Sequence, residues 1–160
     1  MKGPLRKLLV VVNGAESSIL AAKYAIALAK SYGASVTAAY TVDTATIRQL
    51  SMSRIFVDEE SAEYERSLEE TGKRYLAFVE ELAKAKGQSL STLLLKGSIA
   101  GEIVKAAEEI GADCIVFGGG ERDSSYRDVI VEANREISRL ATCPILGVKG
   151  AAAEAAYKSL

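Results

Sequence analysis

The chain has no histidine and only two cysteines among its 160 residues. Without histidine there is no Ser-His or Cys-His pair to activate a nucleophile, and no imidazole to ligate a metal. Every histidine-dependent mechanism is excluded on that count, while carboxylate chemistry is not. Cys114 lies inside an apolar run and Cys143 directly precedes Pro144. Both read as small buried hydrophobes rather than as a disulfide, in a reducing compartment. Long apolar runs are missing too. None approaches the roughly 20 residues that a membrane-spanning helix needs. The basic start, Met1 to Lys7, is followed by an apolar stretch only from Leu8 to Val12, too short for a secretory signal core. The expectation is a cytoplasmic protein with no membrane partner. Neither sign of charge dominates: 20 basic and 21 acidic side chains give a formal net charge of -1. No overall field therefore favours nucleic acid.

What is present is an ordinary globular composition, 49% hydrophobic and 26% charged, in a chain sized for one domain. The expected division is a domain over 1–149 and an alanine-rich tail over 150–160. Leu8 to Val12 has the continuous apolar pattern of a strand buried on both faces. Ser17 or Ser18 is placed to cap the helix that comes next, whose stripe is Leu20, Tyr24, Ala27, Leu28 and Tyr32, ending at Gly33. Ser35 to Val42 reads as the second strand, and the stretch from Asp43 to Val57 as irregular. Asp58, Glu59 and Glu60 open a long helix, where acids suit the dipole and need no metal. Tyr64, Leu68, Tyr75, Val79 and Leu82 form its stripe, with Gly72 in the middle as a candidate break. Tyrosines at helical spacing beside leucines read as packing rather than as base-stacking platforms. Ser91 to Leu95 is a third strand, and Ile99, Ile103, Val104, Ala107 and Ile110 mark a helix stopped at Gly111. Pro144 to Val148 is the last strand, with proline tolerated at its first position. Ala151 to Leu160 reads either as a short helix or as an unstructured end.

The stretch that organises the rest is Cys114-Ile-Val-Phe117 followed by Gly118, Gly119 and Gly120. A helical pattern of Val129, Ala133, Ile137 and Leu140 comes after it. A buried strand, a glycine turn and a helix place backbone N–H groups at the carboxyl edge of a sheet, where open α/β folds bind ligands. The glycines have two readings: a cradle for phosphate, or only a tight turn. Strands alternating with helices predict an α/β fold, one five-stranded parallel sheet doubly wound with helices on both faces. The final strand is left as an apolar edge, which self-pairing into a homodimer through Pro144 to Val148 would cover.

In that order and at that spacing, five segments resemble the universal stress protein family over roughly residues 5 to 149. They are Lys7 to Ser18, Tyr40 to Asp43, Gly97 to Val104, Gly111 to Gly118 and Cys143 to Val148. The resemblance implies an adenine-binding fold, dimers through the last strand, and a role in stress regulation without a known reaction. An Asp after strand one would contact the ribose or adenine side of a nucleotide. Thr41 and Val42 would flank the adenine. The family's phosphate turn reads Gly-x-x-Gly, nine residues, then Gly-Ser or Gly-Thr.

The chain departs from this at several positions. The acid after strand one is Asn13, followed by Gly14. Gly118 matches the first phosphate glycine, but Glu121 stands three positions later, and Val131-Glu132 stand where Gly-Ser is expected. Side chains there keep backbone from approaching a phosphate, and the carboxylates of Glu121 and Glu132 repel a triphosphate. Arg122 and Arg127 would offset part of that repulsion. The expectation is a dimeric stress-response regulator acting by interaction, with weak or absent ATP binding and no catalytic residues or metal. The alternative is an adenine-nucleotide sensor for ATP, ADP or AMP, in which Gly118 to Gly120 still hold phosphate. An enzyme of the related ATP-pyrophosphatase type needs Ser-Gly-Gly-x-Asp-Ser after strand one. Only Gly14 and Ser18 of that pattern are present.

Overall fold

The computed structural model describes residues 3–55, 57–119 and 127–160. Its elements in chain order are β1 (Lys7–Val12), α1 (Glu16–Tyr32), β2 (Ser35–Val42), α2 (Thr44–Met52), α3 (Asp58–Lys84) and β3 (Leu90–Lys96). They continue as α4 (Ile99–Ile110), β4 (Cys114–Gly118), α5 (Arg127–Leu140), β5 (Ile145–Val148) and α6 (Ala152–Lys158). The five strands form one parallel sheet in the order β3-β2-β1-β4-β5. β1 is central because it is apolar from Leu8 to Val12. Its alternate residues Leu8, Val10 and Val12 belong to one core, and Leu9 and Val11 to the other. The first core is closed by α1 and α3, the second by α4 and Ile137 of α5. This is the doubly wound α/β architecture that the alternation of strands and helices predicts.

The long helix α3 runs unbroken from Asp58 to Lys84. Gly72 does not interrupt it: a β-carbon there would stand 2.5 Å from Tyr40 Cδ1 and 2.9 Å from Leu94 Cδ1. The missing side chain lets α3 lie close on β2 and β3, a packing reason stronger than the entropy cost of glycine in a helix. At its carboxyl edge the same contact is tied by Lys96, which pairs with Glu69 and Glu65.

Four local expectations are corrected. The stretch from Asp43 is not irregular: Thr44–Met52 is helical, with Asp43 accepting from the Thr46 amide. Neither Ser17 nor Ser18 caps α1, which starts at Glu16 after Ala15, so both serines lie inside the first turn. Tyr64 is not on the buried stripe of α3 but 43% exposed. On α5, Val129 and Leu140 face out while Ile130 and Ile137 are buried. The true core face is thus shifted by about one residue from the expected one at the amino-terminal end. Of the two readings of the tail, the short helix is the one observed, as α6, which packs on α1. No helix among the described residues is long and apolar enough to cross a membrane.

Candidate functional site

The carboxyl ends of β1, β2 and β4 meet the first turns of α1, α2 and α4. At the end of β1, Asn13 Oδ1 accepts from the Ala15 amide at 2.9 Å, closing an Asx turn. The Asn13 amide donates to Ser18 Oγ at 3.1 Å, and that hydroxyl lies 2.8 Å from the Asn13 and Ala15 carbonyls. The Asn13 carboxamide oxygen is therefore used by its own turn. Gly14 is exposed and faces Tyr75, whose Oη would be 3.6 Å from an added β-carbon. Tyr75 in turn stacks on Tyr40, with ring centroids 6.4 Å apart.

At the end of β2, Val42 is fully buried and its carbonyl accepts from the Gly97 amide at 3.1 Å. Thr41 points to the opposite face, and its Oγ1 is buried with no hydrogen-bond partner among the described residues. Asp43 holds the start of α2: its carboxylate accepts from the Thr46 amide at 3.0 Å and from the Thr46 hydroxyl at 2.7 Å.

At the end of β4, Gly118 has a packing reason of its own. A β-carbon on it would stand 2.4 Å from the Ser17 carbonyl oxygen and 2.7 Å from Ser17 Oγ. The Gly118 carbonyl accepts from Asn134 Nδ2 of α5 at 3.0 Å. The next amide, Gly119 N–H, donates to Val148 O of β5 at 2.9 Å and so continues the sheet. Space beside Gly119 is open, with nothing within 4 Å of an added β-carbon. Gly120 and Glu121 lie outside the described residues, as do Arg122 and the side chain of Arg127.

A cavity of about 530 Å³ opens at this edge, between the first turns of α2 and α4 and the outer face of α5. Asp43, Thr46, Ser98, Glu132 and Glu136 supply its polar groups, and Ile99, Val129 and Leu140 its larger apolar ones. No lysine or arginine is among these described lining residues. Glu132 is paired with Arg135 at 3.3 Å on the helix surface. Arg139 hydrogen-bonds both oxygens of Glu136, which holds that carboxyl below its ordinary range. Val131 is 40% exposed and is not on the cavity wall. No group of three histidine, cysteine, aspartate or glutamate residues able to hold a metal occurs among the described residues.

The expected site residues thus fall into separate places. Asn13, Gly14, Gly118 and Gly119 surround the first turn of α1 and the β4–β5 edge, Thr41 and Val42 end β2, and of the described ones Glu132 alone reaches the cavity. Sequence reasoning missed Asp43, Thr46 and Ser98 on that wall, and Asn134 behind it. Asp43-Thr-Ala-Thr46 carries a helix-cap signature that would have found the first two. Nothing local marks Asn134.

A parallel open sheet with its clefts at the carboxyl edge, beside helix first turns, defines the class of doubly wound α/β proteins, whose ligand sites lie at that edge. Within that class, residues 4–149 match the model of the universal stress protein family. The chain belongs to that family. It is 33% identical over 145 residues to the universal stress protein MJ0531 of Methanocaldococcus jannaschii, covering 90% of this chain and 82% of that one. Its fold superposes on the solved structure of the hypothetical protein MJ0577 with a TM-score of 0.73. That match has 21% identity and covers 92% of this chain and 98% of the other. It also matches a universal stress protein from Archaeoglobus fulgidus solved in complex with dAMP. There the TM-score is 0.59 at 18% identity, over 93% of this chain and all of that one.

Proposed function

We propose that this chain is a cytoplasmic regulatory stress protein that acts as a homodimer, by interaction rather than by turnover, and that holds ATP weakly or not at all. The observation that carries the reading is Val131-Glu132 standing where the family's phosphate turn has Gly-Ser, with Glu132 facing a cavity whose described wall has no basic side chain. A like charge about 4 Å from a phosphate costs on the order of 4 kcal/mol at an effective dielectric near 20. That corresponds to about a thousandfold in affinity. Arg135 beside Glu132 reduces the cost, so a monophosphate or nucleoside suffers less than a triphosphate. In this reading Asn13, Gly14, Thr41 and Val42 line the nucleoside end, and Gly118 to Glu121 the phosphate end. Use of the Gly119 amide by β5 adds support, since it leaves one donor fewer for phosphate.

The sensor reading keeps one observation in its favour, the open space beside Gly119. The dAMP complex of the Archaeoglobus relative makes a nucleoside monophosphate the natural ligand to try. Isothermal titration with ATP, ADP and AMP, with and without magnesium, decides between the two. The expected result is no saturable heat with ATP at micromolar concentrations, and AMP binding equal to or better than ATP. Replacing Val131-Glu132 by Gly-Ser should raise ATP affinity by about tenfold or more. Micromolar ATP affinity in the native chain would defeat the proposal in favour of a sensor.

A further inference from the structure

The last strand is short. β5 has four residues and, among the described residues, one neighbour, β4; Ile145 and Leu146 are half-buried and Gly147 is exposed. An isolated pairing of that length is marginal, so the segment after the strand matters. Val148, its last residue, is 5% exposed and shares a core cluster with Ala153 of α6, at 2%. Gly150, at φ +86°, turns the chain between them. The tail then docks by several contacts. Tyr157 packs on the fully buried Ile26 of α1 and Ala83 of α3, and its hydroxyl donates to Leu82 O at 2.8 Å. Lys23 Nζ donates to Glu154 at 2.7 Å. Lys23 and Lys86 also lie 5.5 and 4.8 Å from the centre of the Tyr157 ring.

A seven-residue helix is too short to persist alone in water. It exists here because it is docked, and its release is a local opening rather than global unfolding. The family match ends at residue 149, so the docked segment lies beyond the part of the chain that defines the family. We propose that residues 150–160 are a latch for the β5 edge. Docking of α6 between α1 and α3 holds β5 in pairing position, and so sets how strongly that edge takes up a second copy of this chain. The proposal rests on the reading of β5 as the dimer strand. A second copy is the fitting occupant because the other side of β5 presents a strand edge unpaired among the described residues, and an identical edge is complementary to it.

Hydrogen exchange and sedimentation on the full chain test it, with Tyr157→Ala as the main variant. The amides of Leu146 to Val148 should exchange about tenfold faster in the variant, with β1 and β2 unchanged. The dimer dissociation constant should rise by about tenfold or more. Should Tyr157→Ala fail to fold, Tyr157→Phe keeps the ring, removes only the bond to Leu82 O, and should move both readouts by about threefold. Unchanged β5 exchange, or equal loosening of every strand, overturns the latch. A native chain that stays monomeric at every concentration overturns the dimer reading and with it the coupling to a second copy. Faster β5 exchange in the variant would then still uphold the latch itself.

Discussion

Gly118 has two separate reasons to be glycine. In the proposed reading it is the first glycine of a phosphate turn, and its missing β-carbon leaves room for the Ser17 backbone, whose carbonyl oxygen an added β-carbon would meet at 2.4 Å. The second reason acts whether or not a ligand is present. Backbone cannot yield as a flexible side chain can, so Gly118→Ala should cost about 1–3 kcal/mol of stability. Urea denaturation of the unliganded protein checks this; an unchanged midpoint would mean that the strand end and α1 part easily, leaving ligand binding as the reason for the residue. The glycine was legible from the sequence, but its packing partner was not. Ser17 is about a hundred positions away, and only the closed sheet brings the two together. Asn134 is the same kind of case. Its bond to the Gly118 carbonyl belongs to tertiary packing, and no local pattern around it announces a partner.

At the scale of elements, strands and long helices were legible because burial imposes a period on them, and short polar helices were not. α2 has one buried residue, Ile47, in nine. With so little apolar stripe, its only sequence signal is the cap, Asp43 followed three residues on by Thr46. That cap now has a measurable role, since α2 carries Asp43, Ala45 and Thr46 into the cavity wall. Asp43→Ala removes both bonds to Thr46 and should cost about 1 kcal/mol, as N-cap losses do. The effect should be local, seen as faster exchange of the Thr46 and Ile47 amides with the sheet unaffected. Loss of sheet protection as well would show that α2 is part of the global cooperative unit. The register error on α5 has a different cause. Val129 and Ile130 are both apolar, so a stripe can be drawn through either, and only the tertiary packing of α5, which lies against α4, decides that Ile130 is the buried one. That a cavity opens at the carboxyl edge was legible from topology alone. Which side chains line it was not, because three of its polar groups come from helix starts that share no sequence pattern.

For the whole molecule, the absence of histidine fixes the form of the pH dependence. No side chain with an ordinary pKa between about 5 and 8 is present to titrate there. Among the described residues, the carboxylates displaced from their ordinary range all move downward. Asp113 is lowered first by the amides of Arg6 and Lys7, each 2.8 Å from its Oδ2, where it joins the start of β1 to β4. Hydrogen bonds from Lys96, Arg139 and Lys23 do the same for Glu69, Glu136 and Glu154. A carboxylate lowered on folding stabilises the native state above its unfolded value, near 4, and that contribution is lost as pH falls through the lowered native value. Burial pushes the Cys114 thiol up, so its contribution is present at neutral pH and lost as pH rises past the ordinary thiol value of about 8.5. The thermal midpoint should therefore be flat from about pH 5.5 to 8, fall below about pH 4 and soften again above about pH 9. Asp113→Asn should lower the plateau and flatten the acid limb, because the variant has one fewer proton to take up on unfolding in acid. Calorimetry across that range checks both statements. A step in the midpoint between pH 6 and 7 would defeat the account, since only a strongly displaced acid or base could produce it in a chain without imidazole.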